Sequence, residues 1–260
     1  MDLIMASSRG SNLDRILSQE GIDSPVHTYP GGKYIRLANE AVNIIHMSNL
    51  QRSDIHVYFI CGFPDVTTKM SGRNYQEVVF TEPTEQAADR VISCIKTASD
   101  IISDTGALPI FSTILPGHLE SWNLTRLNQG KTSALQYSSQ YDVMQKNLHS
   151  CIIQINKSIV AQNISKAMTT PLVHEIIQCI RKPGQYSFMY NRLASDGVHL
   201  SSAKIKYFMV YQIAKSIKKN RGLPVARKRK FIGETELKVV EPESEVEEVS
   251  NSPKRAWRPH

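Results

Sequence analysis

Two short stretches of the chain hold residue types that could work together as a nucleophile and its activating pair. The first is Ser7-Ser8, which follows the apolar run Leu3-Ile4-Met5-Ala6. The second is Asp196-Gly197-Val198-His199, which precedes an amphipathic stretch near residue 217. A serine hydroxyl is a weak nucleophile until a base takes its proton, and that base needs an orienting carboxylate. An Asp three residues before a His, in a tight loop containing Gly, can present both side chains on one side. Ser8 is then the candidate nucleophile, with one of the two serines alternatively a helix N-cap only. Asp196 and His199 are alternatively a surface turn with an incidental imidazole.

The elements around these residues decide whether they can meet. Leu3-Ile4-Met5-Ala6 reads as a buried strand and Arg9 to Gln19 as a helix. Val26-His27-Thr28-Tyr29 is a weaker strand, stopped by Pro30-Gly31-Gly32, and a helix follows with Leu37, Ala41 and Ile45 on one face. Ile55 to Cys61 is the clearest strand, bounded by Gly62 and Pro64. A loop is expected from about 63 to 83. Thr84 is placed to cap a helix with Ala88, Val91, Ile92, Ile95 and Ile102 on one face. Ile110 to Leu115 is a strand, residues 117–138 read as loop, and Tyr141 to Gln162 as a long helix. Leu172 to Ile177 is the expected last strand. Ser201-Ser202 cap a final helix with Ile205, Phe208, Met209, Ile213 and Ile217 inward.

Strand–helix alternation of this kind predicts a mostly parallel sheet with helices on both faces, a three-layer α/β/α sandwich. Ligands of such sheets bind at the carboxyl ends of the strands. Ser8 lies at such an end, at the start of a helix, where backbone N–H groups favour negative charge.

Taken together, four ordered blocks resemble the SGNH-type, GDSL-like serine hydrolases over roughly residues 2–217. Ala6-Ser7-Ser8 stands where the family has Gly-Asp-Ser. Gly32, or alternatively Gly31, stands for the glycine of the second block. Gly62-Phe63-Pro64-Asp65 stands for Gly-x-Asn-Asp, and Asp196-Gly197-Val198-His199 for Asp-x-x-His. The resemblance implies the SGNH hydrolase fold, a three-layer α/β/α sandwich with a mostly parallel, flavodoxin-like sheet. It also implies ester or acyl hydrolysis through an acyl-enzyme, without metal or cofactor. Ser8 would be the nucleophile, His199 the base and acid, and Asp196 its orienting partner. The N–H groups of Ser8 and Gly32 would serve the oxyanion hole. Two departures bear on activity. Pro64 replaces an asparagine whose amide is an oxyanion donor in the family, and proline has no donor. Losing one such donor costs on the order of 10²–10³ in rate. Ser7 replaces the aspartate of the first block. Thr67, Thr68 and Asn74 in the following loop are alternative donors. The other reading of the same blocks is a catalytically silent SGNH-like binding or scaffold module, associated with nucleic acid.

Gly62, Pro64, Asp65, His118 and Trp122 are the candidate pocket residues. Trp122 either lines the pocket beside His118 or covers the core, and Asp65 pairs with a pocket group or caps a turn. Cys61 reads as a buried small hydrophobe rather than a nucleophile. The four cysteines form no CxxC pair, which argues against a zinc site and fits reduced thiols in an intracellular, cytoplasmic or nuclear protein.

Of 260 residues, 41% are apolar and 21% charged, and no apolar run reaches the roughly 18 residues a membrane span needs. The net charge of +7 is concentrated late: residues 218–260 hold 11 Lys/Arg and 7 Asp/Glu. The folded part, 1–217, is therefore nearly balanced and its charge says little about a ligand. Residues 218–260 read as a disordered tail, basic through Arg227-Lys228-Arg229-Lys230 and then acidic. That basic cluster, with Lys254-Arg255-Ala256-Trp257-Arg258, fits a nuclear signal or a nucleic-acid contact. The expected ligand of the domain itself is a small-molecule or acylated substrate.

Overall fold

The computed structural model describes residues 1–10, 13–72, 75–182 and 185–225. The tail expected from the charge pattern lies outside the described residues beyond 225. Four parallel strands form the central sheet in the order β2-β1-β3-β6, with β1 Asp2–Ala6, β2 Val26–Thr28, β3 His56–Ile60 and β6 Leu108–Phe111. Register is continuous: Ala6 pairs with Thr28 on one side and with Ile60 on the other, and Phe59 pairs with Phe111. The sheet is buried on both faces, so these strands read as continuous apolar runs rather than alternating ones. Leu3, Met5, Val57, Phe59 and Phe111 face one layer, with α2 (Tyr34–Met47), α4 (Thr84–Ser103) and α6 (Tyr141–Ser165). Ile4, Ala6, Tyr58, Ile60 and Ile110 face the other, with α1 (Leu13–Gln19) and α7 (Ala203–Asn220).

Two stretches expected as loop carry structure. Residues 63–83 hold a one-turn helix, α3 (Phe63–Val66), and an antiparallel hairpin of β4 (Thr68–Ser71) and β5 (Gln76–Val79). Residues 117–138 hold α5 (Leu119–Asn128). The buried Asn123 of α5 locks the hairpin by bonding both the N–H and the C=O of Val78, at 2.8 Å each. Neither feature shows as hydrophobic periodicity, because side-chain amides and hydroxyls make the join. The expected cap at Thr84 is also corrected. Thr84 is the first residue of α4, and Pro83 stands at the cap without a side-chain bond.

The expected strand at Leu172–Ile177 is absent. Val173–Ile176 form a 3₁₀ turn, and the strand that follows, β7 (Gln178–Lys182), pairs with β8 (Gln185–Phe188) in a separate hairpin. Pro171 reaches the sheet edge with its carbonyl alone, accepting from Thr113 N at 3.1 Å, and has no N–H to continue a ladder. Side chains of α6 satisfy that edge instead. Asn163 accepts from Phe111 N at 3.2 Å and donates to Phe111 O at 2.7 Å. Asn156 does the same to Ile114, at 2.6 and 3.1 Å. Gln145 spans Leu119 N at 2.8 Å and Gly117 O at 2.9 Å. Three amides thus stand in for a strand along 111–119, meeting the requirement that buried backbone groups be paired. Among the described residues no helix is long and apolar enough to cross a membrane.

Candidate functional site

β1 delivers Ser7 and Ser8 to the carboxyl edge of the sheet. Ser7 N donates to Ile60 O at 3.1 Å, so the ladder runs one residue past β1 and buries Ser7. The chain then turns through a 3₁₀ segment, Ser8–Gly10, with Gly10 N bonded to Ser7 O at 2.8 Å. A Cβ on Gly10 would lie 2.2 Å from the Ala6 Cβ, so only glycine lets the turn fold back over β1. Ser8 is left half-buried at the tip.

The Asp196–His199 turn is built by its own backbone. Leu193 and Leu200 form a bridge across it, Ala194 N donates to His199 O at 2.7 Å, and Gly197 takes φ +68°, where glycine is unstrained. Asp196 Oδ1 accepts from Val198 N at 3.0 Å and His199 N at 2.9 Å, while Oδ2 meets His199 Nδ1 at 2.5 Å. Partial burial alone would raise the Asp196 pKa. The bond from the imidazole and those from the two N–H groups reverse this and hold it below the ordinary value. The pair is thus held by the turn itself, with the His199 side chain 36% exposed. Among the described residues no hydrogen bond joins Ser8 to His199. Such contacts commonly tighten only in the substrate complex.

The oxyanion assignments change. Gly32 N–H, expected to face the oxyanion, closes a turn onto Tyr29 O at 2.9 Å, and is engaged there. Pro64 occupies the second position of α3, where the missing N–H of proline is harmless to the helix but leaves no side-chain donor. Thr67 does not replace it, because its hydroxyl donates to Phe63 O at 2.9 Å, and Asn74 lies outside the described residues. Thr68 lies exposed on β4, so of the expected donors it and the Ser8 N–H remain.

The five expected pocket residues separate into different roles. Gly62 is a packing position: at φ +113° a Cβ would sit 2.6 Å from both Ile114 Cγ1 and Tyr34 Oη. Asp65 is buried and caps α2 rather than its own turn, accepting from Tyr34 N at 3.2 Å, and burial pushes its pKa up to about 7. Trp122 covers the core from the half-buried side. His118 does border the turn: its N–H donates to Gly197 O at 2.8 Å, and its Nδ1 caps α5 at Ser121. Burial lowers the His118 pKa. Cys61 is buried, its thiol pushed well up by desolvation, which excludes a thiolate. The cavity at this sheet edge, about large enough for one water, is lined by Ser7, Ile60, Phe63, Ser112, Leu115 and Met209 and by none of the five. Sequence reasoning passed over Ser112, whose hydroxyl is buried without a partner, because nothing marks a serine at a strand end. Among the described residues no cluster of three His, Cys, Asp or Glu could hold a metal.

No protein-family model matches the chain, and no curated protein does. Solved structures do. A GDSL-like lipase from Bacteroides thetaiotaomicron superposes with TM-score 0.52 at 12% identity, over 84% of this chain and 88% of that one. The chain has the fold of the GDSL-like hydrolases. The OSK domain of Drosophila Oskar follows at TM-score 0.46 and 13% identity, over 83% and 87%. A psychrotrophic esterase from a Pseudoalteromonas species follows at 0.43 and 12%, over 85% and 98%. At such identities the likeness shows the GDSL-like fold alone. It leaves the chemistry to be argued from Ser8, Asp196 and His199.

Proposed function

We propose that this chain is an SGNH-type serine hydrolase acting on an ester or acyl substrate. Ser8 attacks the acyl carbon, His199 Nε2 takes the Ser8 proton and returns it to the leaving group, and Asp196 holds the imidazole in the required tautomer. Water then releases the acyl group from Ser8 by the same steps. The observation that carries this reading is the 2.5 Å Asp196–His199 contact, braced by two backbone bonds to the same carboxylate. A carboxylate that merely ended a turn would have no need to reach the ring. Ser8 N–H supplies the oxyanion contact, and the engaged Gly32 N–H and the proline at 64 predict a slow enzyme.

Those two losses also favour a second reading, a silent module of the same fold that binds rather than hydrolyses. A fluorophosphonate probe and p-nitrophenyl acetate separate the two. Labelling and turnover abolished by Ser8→Ala and by His199→Ala are expected. No labelling of the wild-type chain would leave the binding module, and labelling that survives Ser8→Ala would remove Ser8 as nucleophile. The nucleic-acid contact expected of Arg227–Lys230 is tested by nucleic-acid binding with and without residues 226–260 across a salt series, a flat salt dependence arguing against phosphate contacts.

A further inference from the structure

We propose that Gln145 is a positioning residue for the Asp196–His199 pair, acting through the backbone of residues 117–119 and through Tyr190. The inference rests on the hydrolase reading above. Gln145 lies on α6, touches neither Ser8 nor His199 by hydrogen bond, and is nearly buried. Its amide grips the peptide on both sides of His118, with Oε1 accepting from Leu119 N and Nε2 donating to Gly117 O. His118, held between them, donates its N–H to Gly197 O at 2.8 Å. The fit at Gly197 is close. A Cβ there would come within 2.5 Å of His118 O, and Thr125 of α5, the helix that His118 caps, donates to Ser195 O at 2.9 Å. One wall of the turn is thus α5 and the segment before it, and Gln145 anchors that segment to α6.

The same amide reaches the other wall. Gln145 Nε2 lies 3.0 Å from Tyr190 Oη and 2.7 Å from His149 Nε2, and Tyr190 Oη also contacts His149 Nε2. Gln145 has two N–H groups, so one serves Gly117 O and the other Tyr190 Oη, whose own O–H then goes to His149. That wiring needs a neutral His149, and burial brings its pKa down to about 4. Tyr190 begins the 3₁₀ turn that leads into the Asp196 loop, and its ring packs on His118 at 4.6 Å. An amide supplies one acceptor and two donors without charge, which is what three fixed partners in a nearly dry site require. Relaxing both walls lets the Asp196–His199 turn drift relative to Ser8. A displacement of about 1 Å in such a constellation costs roughly 10² in rate.

The test compares the full chain with Gln145→Met, close in shape and apolar, and Tyr190→Phe, which deletes one oxygen. Two readouts are taken. The first is the low-field proton resonance of His199 Nδ1–H, assigned by its loss in Asp196→Asn. The second is kcat and KM for p-nitrophenyl acetate. Gln145→Met is expected to broaden or shift the resonance and to lower kcat by roughly 10–10² with KM within about twofold. Tyr190→Phe is expected to move both readouts the same way by less, and it decides the matter if Gln145→Met does not fold. Folded variants with an unchanged resonance and unchanged kcat overturn the proposal and leave Gln145 a structural clamp. A wild-type chain that turns over no ester overturns the hydrolase reading, while the resonance still decides whether Gln145 positions His199.

Discussion

Replacing Asp196 by Asn separates orientation from folding at this site. Asn keeps an Oδ1 that accepts from Val198 N and His199 N, the two bonds that shape the turn. What changes is the atom facing His199 Nδ1, where an acceptor at 2.5 Å becomes an N–H donor. Two donors cannot share that contact, so the imidazole proton moves to Nε2. His199 then presents an N–H, not a lone pair, to Ser8. The expected loss is on the order of 10⁴ in kcat, about 5.5 kcal/mol of barrier, as found where the same exchange is made in other serine triads. Stability at pH 7 should fall modestly, by the part of the contact that depends on the carboxylate charge in this partly exposed pair. Asp196 has a lowered folded pKa, so its contribution is present above the unfolded value and is lost as pH falls through the folded one. The melting temperatures of wild type and Asp196→Asn should therefore converge in acid. Steady-state hydrolysis of p-nitrophenyl acetate and the ¹⁵N shifts of His199 give the two measurements. A kcat within tenfold of wild type, or an unchanged tautomer, would refute the assigned role of the carboxylate.

Pro64→Asn returns a side-chain amide to the oxyanion region, and kcat should rise by a factor of up to about 10², measured on the same ester. No change would mean that residue 64 does not face the oxyanion. Asn163→Leu strands Phe111 N and O in the core, and at about 1–3 kcal/mol for each unpaired group it should cost roughly 2–6 kcal/mol in urea unfolding. A cost below about 1 kcal/mol would show that the α6 amides are not holding the sheet edge. Stability should rise with pH across the window from about 4 to 6.5. There the unfolded chain binds protons at His149 and His174, whose folded values lie at about 4, while the native state alone keeps one on Asp65, at about 7. Counted over these three groups, the difference of one proton gives about 1.4 kcal/mol per pH unit, and the lowered pKa of His118 acts in the same direction. Asp65→Asn removes the opposing proton and should roughly double that slope, read from urea midpoints at several pH values.

The order of the strands and the helices that cover them was legible in the chain itself. Burial on both faces writes apolar runs such as Leu3–Ala6 and Val57–Ile60 directly into the residues, and helices with a core face repeat every three to four. Asp196-Gly197-Val198-His199 was legible too, because a turn that bonds its own backbone is a local object. Ser202 caps α7 by accepting from Ile205 N, as its position before the helix suggested. The Asn123, Asn156, Asn163 and Gln145 amides had no such signature. Each bonds a backbone segment between 26 and 52 residues away, and a lone amide on a helix carries no period. The hairpin of β4 and β5 was missed for the same reason, and the strand expected at Leu172–Ile177 was lost to Pro171, whose neighbours only the folded chain reveals. Gly32 shows the limit most sharply. Its type and place in the second block fit an oxyanion donor, yet one N–H can point only one way, and the turn onto Tyr29 O took it. Residue types and local turns were thus determined along the chain, while the direction of each donor was decided by distant partners in the tertiary structure.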